Sequence, residues 1–357
     1  MPKSAGPARP GPAAAAGTWM EPQLATLVRD RFSDPGWLYE RKLDGERCLA
    51  YCDDRQVRLL SRNRLDVTST YPEVARALRA AAAGSCVLDG EVVAFDGAAT
   101  SFSRLQRRLG VRDPSDQLVS SVPVYYYIFD ILLAGGDDVR DFPLRARKRL
   151  LRQFVRFGGP LRYTAHRNGD GEAYWAQACS RGWEGVVAKR ADAPYRAGRS
   201  RDWLKFKCEH SQEFVIGGFT DPQGSRAGFG ALLLGYYDGG TLAYAGKVGT
   251  GFDDSLLASL HARLLELEQP GPPFGRGTLP RSGVHWTRPQ LVAQIGFSEW
   301  TGAGNLRHPR YQGLRRDKEA ADVTRERAER AQPRPPDEPP DGPGRGRVAG
   351  TRGRPGG

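Results

Sequence analysis

Residues Val124 to Leu133 read Val-Tyr-Tyr-Tyr-Ile-Phe-Asp-Ile-Leu-Leu, an almost continuous apolar run of strand length. A run of this kind fits a strand buried on both faces, which a chain can supply only if other layers cover it. The neighbouring sequence offers those layers. Arg47 to Tyr51 and Gln56 to Leu60 alternate around Asp53-Asp54 as a β-hairpin, and Cys86 to Phe95 reads as a further strand. Tyr71 to Ala83 has helical spacing, with Val74, Leu78 and Ala81 on one face. Leu144 to Phe157 and Glu172 to Arg181 are predicted helices, the second closed by Gly182. Val186 to Lys189 and Trp203 to Lys207 are predicted strands, and Trp37-Leu38-Tyr39 ends a strand that runs into Lys42. The fold class is α+β, with charged residues at strand ends that suit a ligand cleft between sheets.

The pattern changes near Glu213. Phe214 to Phe219, Leu232 to Tyr237, Leu242 to Val248 and Leu291 to Trp300 are short strands, and Ser255 to Glu268 is a helix with Leu256, Leu260, Leu264 and Leu267 on one face. About five strands and one helix in roughly 100 residues match a Greek-key barrel of the OB type, a fold that commonly binds nucleic acid. The predicted organisation is a disordered leader at 1–17, an α+β domain at 18–210, an OB-fold β-barrel at 211–318 and a disordered basic tail at 319–357. The tail is rich in Arg, Glu, Pro and Gly, and its expected contribution is non-specific affinity.

Composition narrows the partner. A net charge of +12 and a pI near 9.7 favour a polyanion, nucleic acid above all. Five cysteines without a Cys-x-x-Cys pair predict neither a disulfide framework nor a structural zinc, and point to a reducing cytosol. No apolar run approaches the roughly 20 residues of a membrane span.

The chemistry-bearing stretch is Glu40-Arg41-Lys42-Leu43-Asp44-Gly45-Glu46-Arg47. A lysine is a nucleophile only when burial or neighbouring cations release its lone pair. Gly45 lets backbone approach a ligand, and Arg47 offers a planar fork of donors to ribose or phosphate oxygens. Further along, Ser61-Arg62-Asn63 ends the hairpin, Asp89-Gly90-Glu91 lies between strand stretches or in a plain turn, and Phe129 is either a core ring or a stacking platform. Glu184 opens, and Lys189 ends, a strand whose charges need partners. Lys205 and Lys207, two apart, share a strand face and repel unless an anion lies between them; Trp203 and Phe206 are read on the opposite face. Arg315, Asp317 and Lys318 close the series.

The pattern Lys-x-Asp-Gly-x-Arg resembles the first motif of the covalent nucleotidyltransferases, the superfamily of polynucleotide ligases and capping enzymes. Six such motifs follow in family order from Glu40 to Lys318. Ser101-Phe102 to Leu105-Gln106 and Glu299-Trp300-Thr301 to Leu306-Arg307-His308-Pro309 are similar to the ATP-dependent DNA ligase module of bacterial end-joining ligases. The resemblance implies a nucleotidyltransferase (adenylation) domain of antiparallel sheets with helices, followed by the OB domain. It implies that Lys42 attacks ATP to form a lysyl-AMP, assisted by Lys205, Lys207, Asp317 and Lys318. It assigns Glu40 to adenine, Arg47 and Glu91 to ribose, Phe129 to the purine ring, and Lys205 and Lys207 also to the nucleotide phosphates. Glu184 and Asp44 would hold Mg²⁺ or Mn²⁺, and Arg62, outside the ATP pocket, the terminal phosphate of a nick. The implied protein is a monomer of the bacterial cytosol, nucleoid-associated, acting on nicked double-stranded DNA beside end-joining proteins. An RNA ligase or a capping guanylyltransferase would share most motifs, and a non-catalytic nucleic-acid-binding protein with a degenerate site is the reading from another class.

Overall fold

The computed structural model describes residues 18–331, apart from Asp54 and residues 223–226. The predicted leader and the tail beyond 331 lie outside the described residues. In chain order come β1 (Gln23–Leu27), β2 (Trp37–Lys42), β3 (Glu46–Cys52), β4 (Val57–Ser61), α1 (Pro72–Ala81) and β5 (Cys86–Asp96). The short β6 (Ala99–Thr100), α2 (Phe102–Leu105) and α3 (Asp116–Ser121) lead to β7 (Val124–Ala134) and β8 (Asp137–Asp138). Then follow α4 (Leu144–Phe154), β9 (Leu161–Tyr163), β10 (His166–Asn168), α5 (Gly171–Ser180), β11 (Gly185–Arg190) and β12 (Gly198–Lys207). The C-terminal domain consists of β13 (His210–Thr220), β14 (Leu232–Asp238), β15 (Thr241–Val248), α6 (Asp254–Glu266), β16 (Glu268–Gln269), β17 (Val284–Phe297), β18 (Glu299–Trp300), β19 (Leu306–Arg307) and β20 (Arg310–Leu314).

β7 is covered on both faces, as its composition demands. It sits in a seven-stranded sheet ordered β4-β3-β5-β7-β8, with β6 on β5 and β9 on β7. On one face Tyr126 and Ile128 pack with Val74 and Leu78 of α1, Leu151 of α4 and Phe102 of α2. On the other, Phe129, Leu132 and Leu133 meet Leu49, Tyr195 and Trp203, which ties this sheet to a second one ordered β1-β12-β11-β2-β10. The outer face of that second sheet buries Trp37, Tyr39, Leu204 and Phe206 against α5. The two sheets thus splay around a cleft. Pairing is antiparallel except where β1 joins β12 and β9 joins β7 in parallel.

In the C-terminal domain a six-stranded sheet, β15-β14-β13-β17-β16 with β20 on β17, curls over α6. Asp253 caps that helix by accepting from the Leu256 N–H at 2.8 Å. Leu257, Leu260 and Leu264 form its buried face, so the predicted stripe is displaced by one residue at its start; Leu256 is only partly buried.

Two expectations are corrected. Cys179 and Cys208 form a disulfide, with Cα atoms 5.3 Å apart, joining the end of α5 to the residue after β12. Sequence spacing misses it because pairing depends on Cα proximity in the fold, not on separation along the chain. Cys48, Cys52 and Cys86 are free and buried. Residues 319–331 are not a structureless tail: Ala320–Asp322 forms a 3₁₀ turn, Val323 is buried, and Glu329 pairs with Val28 at the edge strand β1. No helix among the described residues is long and apolar enough to cross a membrane.

Candidate active site

Strand register gathers the lysines. Lys42 on β2 lies opposite Gly185 on β11, and Gly185 opposite Lys207 on β12; Glu40 lies opposite Val187, and Val187 opposite Lys205. Side chains alternate along a strand, so Glu40, Lys42, Lys205 and Lys207 all face the cleft. Trp203, two residues before Lys205, shares that face and lines the cleft, while Phe206, with Leu204, turns to the opposite face of the sheet. The sequence reading of Trp203 as opposite the lysines is therefore wrong by the alternation it invoked. Gly185 has φ +148°, and a Cβ there would meet the Phe206 carbonyl oxygen at 2.0 Å, so only glycine fits between the two lysine strands.

The cleft encloses about 260 Å³ and draws its walls from both domains. At its floor the Lys42 Nζ lies 2.5 Å from Glu184 Oε1. Burial raises the Glu184 carboxyl, but Lys42 and Lys207 outweigh it and hold the group below the usual carboxylate range. Its Oε2 is buried without a hydrogen-bond partner among the described residues. Asp44 is pushed up to about 6, by burial first and by the Glu184 charge second. A carboxylate pair with a spare buried acceptor fits a divalent cation. No cluster of three or more potential protein ligands exists among the described residues. Magnesium, which takes one or two carboxylates and completes its shell with phosphates and water, suits so sparse a set.

Deeper in, Glu40 is buried between two ammonium groups: Lys148 of α4 binds one oxygen in a very short contact, and Lys189 lies 2.7 Å from the other. Both side-chain acceptors of Glu40 are thus engaged. Lys189 in turn sits 4.0 Å above the Phe129 ring and 3.9 Å above Trp203. Burial depresses Lys189 to about 8. Arg47 spends its fork on Asp89, at 2.5 and 2.6 Å, and lies 4.6 Å over Phe129. Asp89 and Glu91 are not in a turn but in the middle of β5, where Glu91 lies opposite Arg47. Burial lifts Glu91 to about 7 in spite of Arg47.

The third wall comes from the C-terminal domain. Arg315 forms a bidentate pair with Asp317 at 2.8 and 2.7 Å and covers the Phe102 ring at 4.6 Å. Lys318 Nζ lies 3.2 Å from Glu213, and both line the cleft with Lys42. Arg62, expected to lie outside the ATP pocket, lines the same cleft as Lys42. β4 ends where the C-terminal domain closes down, which brings Arg62 under the influence of Glu213 and Asp317. Sequence reasoning named Asp89 without a role and missed Lys148 and Glu326, which pairs with Lys205 at 2.5 Å and Lys207 at 3.2 Å. A carboxylate in an apolar strand, as Glu40 is, and a lysine on the inner face of an amphipathic helix, as Lys148 is, each signal an unseen partner; nothing signals Glu326.

Family models match most of the chain: an ATP dependent DNA ligase domain over residues 22–207 and an ATP dependent DNA ligase C terminal region over 225–318. The multifunctional non-homologous end joining protein LigD of Pseudomonas aeruginosa is 38% identical over 317 residues, 87% of this chain. The multifunctional non-homologous end joining DNA repair protein LigD of Mycobacterium tuberculosis is 38% identical over 297 residues, 81% of this chain. The chain spans 37% of the length of each. A solved mycobacterial DNA ligase D complexed with ATP and MES superposes with a TM-score of 0.63 at 34% identity, covering 86% of this chain and 98% of that one.

Proposed function

This chain belongs to the ATP-dependent DNA ligase family, and from that premise we propose that it seals nicks in double-stranded DNA by passing AMP from ATP through Lys42. The observation that carries the reading is the convergence of Lys42, Lys205, Lys207 and Lys318 on one cleft, where four ammonium groups can turn from their carboxylate partners to a triphosphate. Lys42 Nζ, once deprotonated, forms a bond to the α-phosphorus while the bond to pyrophosphate breaks. Lys205, Lys207 and Lys318 take the charge that develops on the leaving group. Asp317 positions Arg315. Glu91 receives a ribose hydroxyl, Phe129 forms the wall beside the purine with Arg47 packed on its ring, and Glu40 orders the adenine end through Lys148 and Lys189. Glu184 and Asp44 would hold Mg²⁺ or Mn²⁺, which when bound supplies charge to the phosphates and competes with Lys42 for the Glu184 carboxylate. AMP then moves to the 5′-phosphate of the nick, held by Arg62, with cleavage of the phosphorus–nitrogen bond. The 3′-hydroxyl attacks that 5′-phosphorus, closes the phosphodiester and releases AMP.

The working units are an adenylation domain at 18–210 and an OB-fold domain at 211–318, acting as a monomer in the cytosol with nicked DNA and end-joining proteins as partners. Nick sealing tests this. With ATP and a divalent metal the protein should join a nicked DNA duplex, and neither GTP nor a nicked RNA duplex should serve. Sealing with GTP or only on RNA would favour a guanylyltransferase or RNA ligase instead.

A further inference from the structure

Residues 319–331 run as a strap from the C-terminal domain across the mouth of the cleft to the N-terminal domain. At the first anchor the Tyr237 N–H donates to the Val323 carbonyl at 2.7 Å, and Val323 is buried against the six-stranded sheet. Gln212 holds the next residues, donating to the Thr324 carbonyl at 3.1 Å and accepting from the Glu326 N–H at 2.9 Å. At the far anchor the Glu329 N–H donates to Leu27 at 3.0 Å, the Arg29 N–H donates to Glu329 at 2.9 Å, and Arg201 pairs with the Glu329 carboxylate at 3.1 Å. Both ends are thus fixed by backbone pairing, one on each domain. Between them Glu326 turns inward, and its two oxygens take one lysine each, Lys205 at 2.5 Å and Lys207 at 3.2 Å.

We infer that this strap is an internal competitor for the phosphate subsite: the Glu326 carboxylate occupies the anion position between Lys205 and Lys207, and nucleotide must displace it. The inference rests on the reading of those lysines as phosphate partners. Charge complementarity supports it, because two ammonium groups on one strand face need an anion and the chain supplies its own. Burial would raise the Glu326 carboxyl, yet Lys207 and Lys205 hold it down at about 2, so the group stays ionised at neutral pH. Pyrophosphate departure would let Glu326 return, which disfavours reversal of AMP loading.

The test is calorimetric titration of the full chain with magnesium pyrophosphate, comparing parent, Glu326→Gln and Arg201→Ala. Glu326→Gln should bind pyrophosphate roughly tenfold more tightly, the size expected when a competing charge-assisted contact is removed. Arg201→Ala, which removes the ion pair at the far anchor but leaves its backbone pairing and the phosphate lysines in place, should shift binding in the same direction by less. Adenylated Glu326→Gln should also revert to ATP at lower pyrophosphate concentrations than the parent. Equal or weaker pyrophosphate binding by Glu326→Gln overturns the strap. Tighter binding in a protein whose parent forms no AMP adduct leaves the strap standing and removes the ligase reading.

Discussion

At the scale of single residues, the cleft keeps oppositely charged groups in contact while leaving each of them convertible. Glu184 pairs with Lys42 through one oxygen, and its other oxygen has no hydrogen-bond partner among the described residues, which leaves it for the metal proposed above. Lys205 faces Glu326, Lys207 and Lys42; burial, then the two neighbouring lysines, lower it from 10.5 to about 8 against the pull of Glu326. The sign follows: below pH 8 Lys205 is an ammonium able to bind phosphate, and above pH 8 the free enzyme loses that charge. Arginine at the same place keeps its proton throughout this range. The ratio of parent to Lys205→Arg kcat/KM for AMP loading should therefore fall roughly tenfold per pH unit above about pH 8, as free-enzyme titration requires. A ratio that stays level from about pH 7 to 9.5 would show that Lys205 does not titrate there.

Strands and helices with one strong period were legible in the sequence. The apolar run of β7, the alternation of β3 and β4 and the helical spacing of α1 appear within a few residues of their predicted bounds. α6 buries Leu260, Leu264 and Leu267 as predicted, and only at its start does packing against the sheet bury Leu257 more fully than Leu256. The candidate site was legible as a set of motifs but not as a geometry. Lys42 and Lys207 are 165 residues apart in the chain and meet only through the antiparallel pairing on either side of Gly185. The partners of Glu40, the fork of Arg47 on Asp89, the disulfide and the strap all depend on tertiary contacts between distant elements, which local period does not encode. Polar composition made 319–331 look structureless; a single buried valine and backbone pairing at both ends order it.

For the whole molecule, the closed arrangement is the functional statement. Phe102 and Leu109 of the N-terminal domain receive Arg315 and Arg316 of the C-terminal domain, with Arg316 donating to the Leu109 carbonyl at 3.0 Å. In this arrangement Lys318 lines the cleft that holds Lys42. If that position serves the leaving pyrophosphate, Lys318→Ala should slow AMP loading from ATP by about 10², the usual loss for one charge-stabilising donor. It should still seal a nick already carrying AMP on its 5′-phosphate, where no pyrophosphate leaves. Equal loss on both substrates would assign Lys318 to DNA binding or to folding. The central claim is that Lys42 carries the nucleotide. Incubation with ATP and magnesium, followed by intact-mass and peptide-mass measurement, tests it most directly. One AMP should be added, stable to acid and localised to Lys42, and Lys42→Ala and Lys42→Arg should both fail to acquire it. An unmodified parent protein, or a Lys42→Ala protein that still gains AMP, would contradict it.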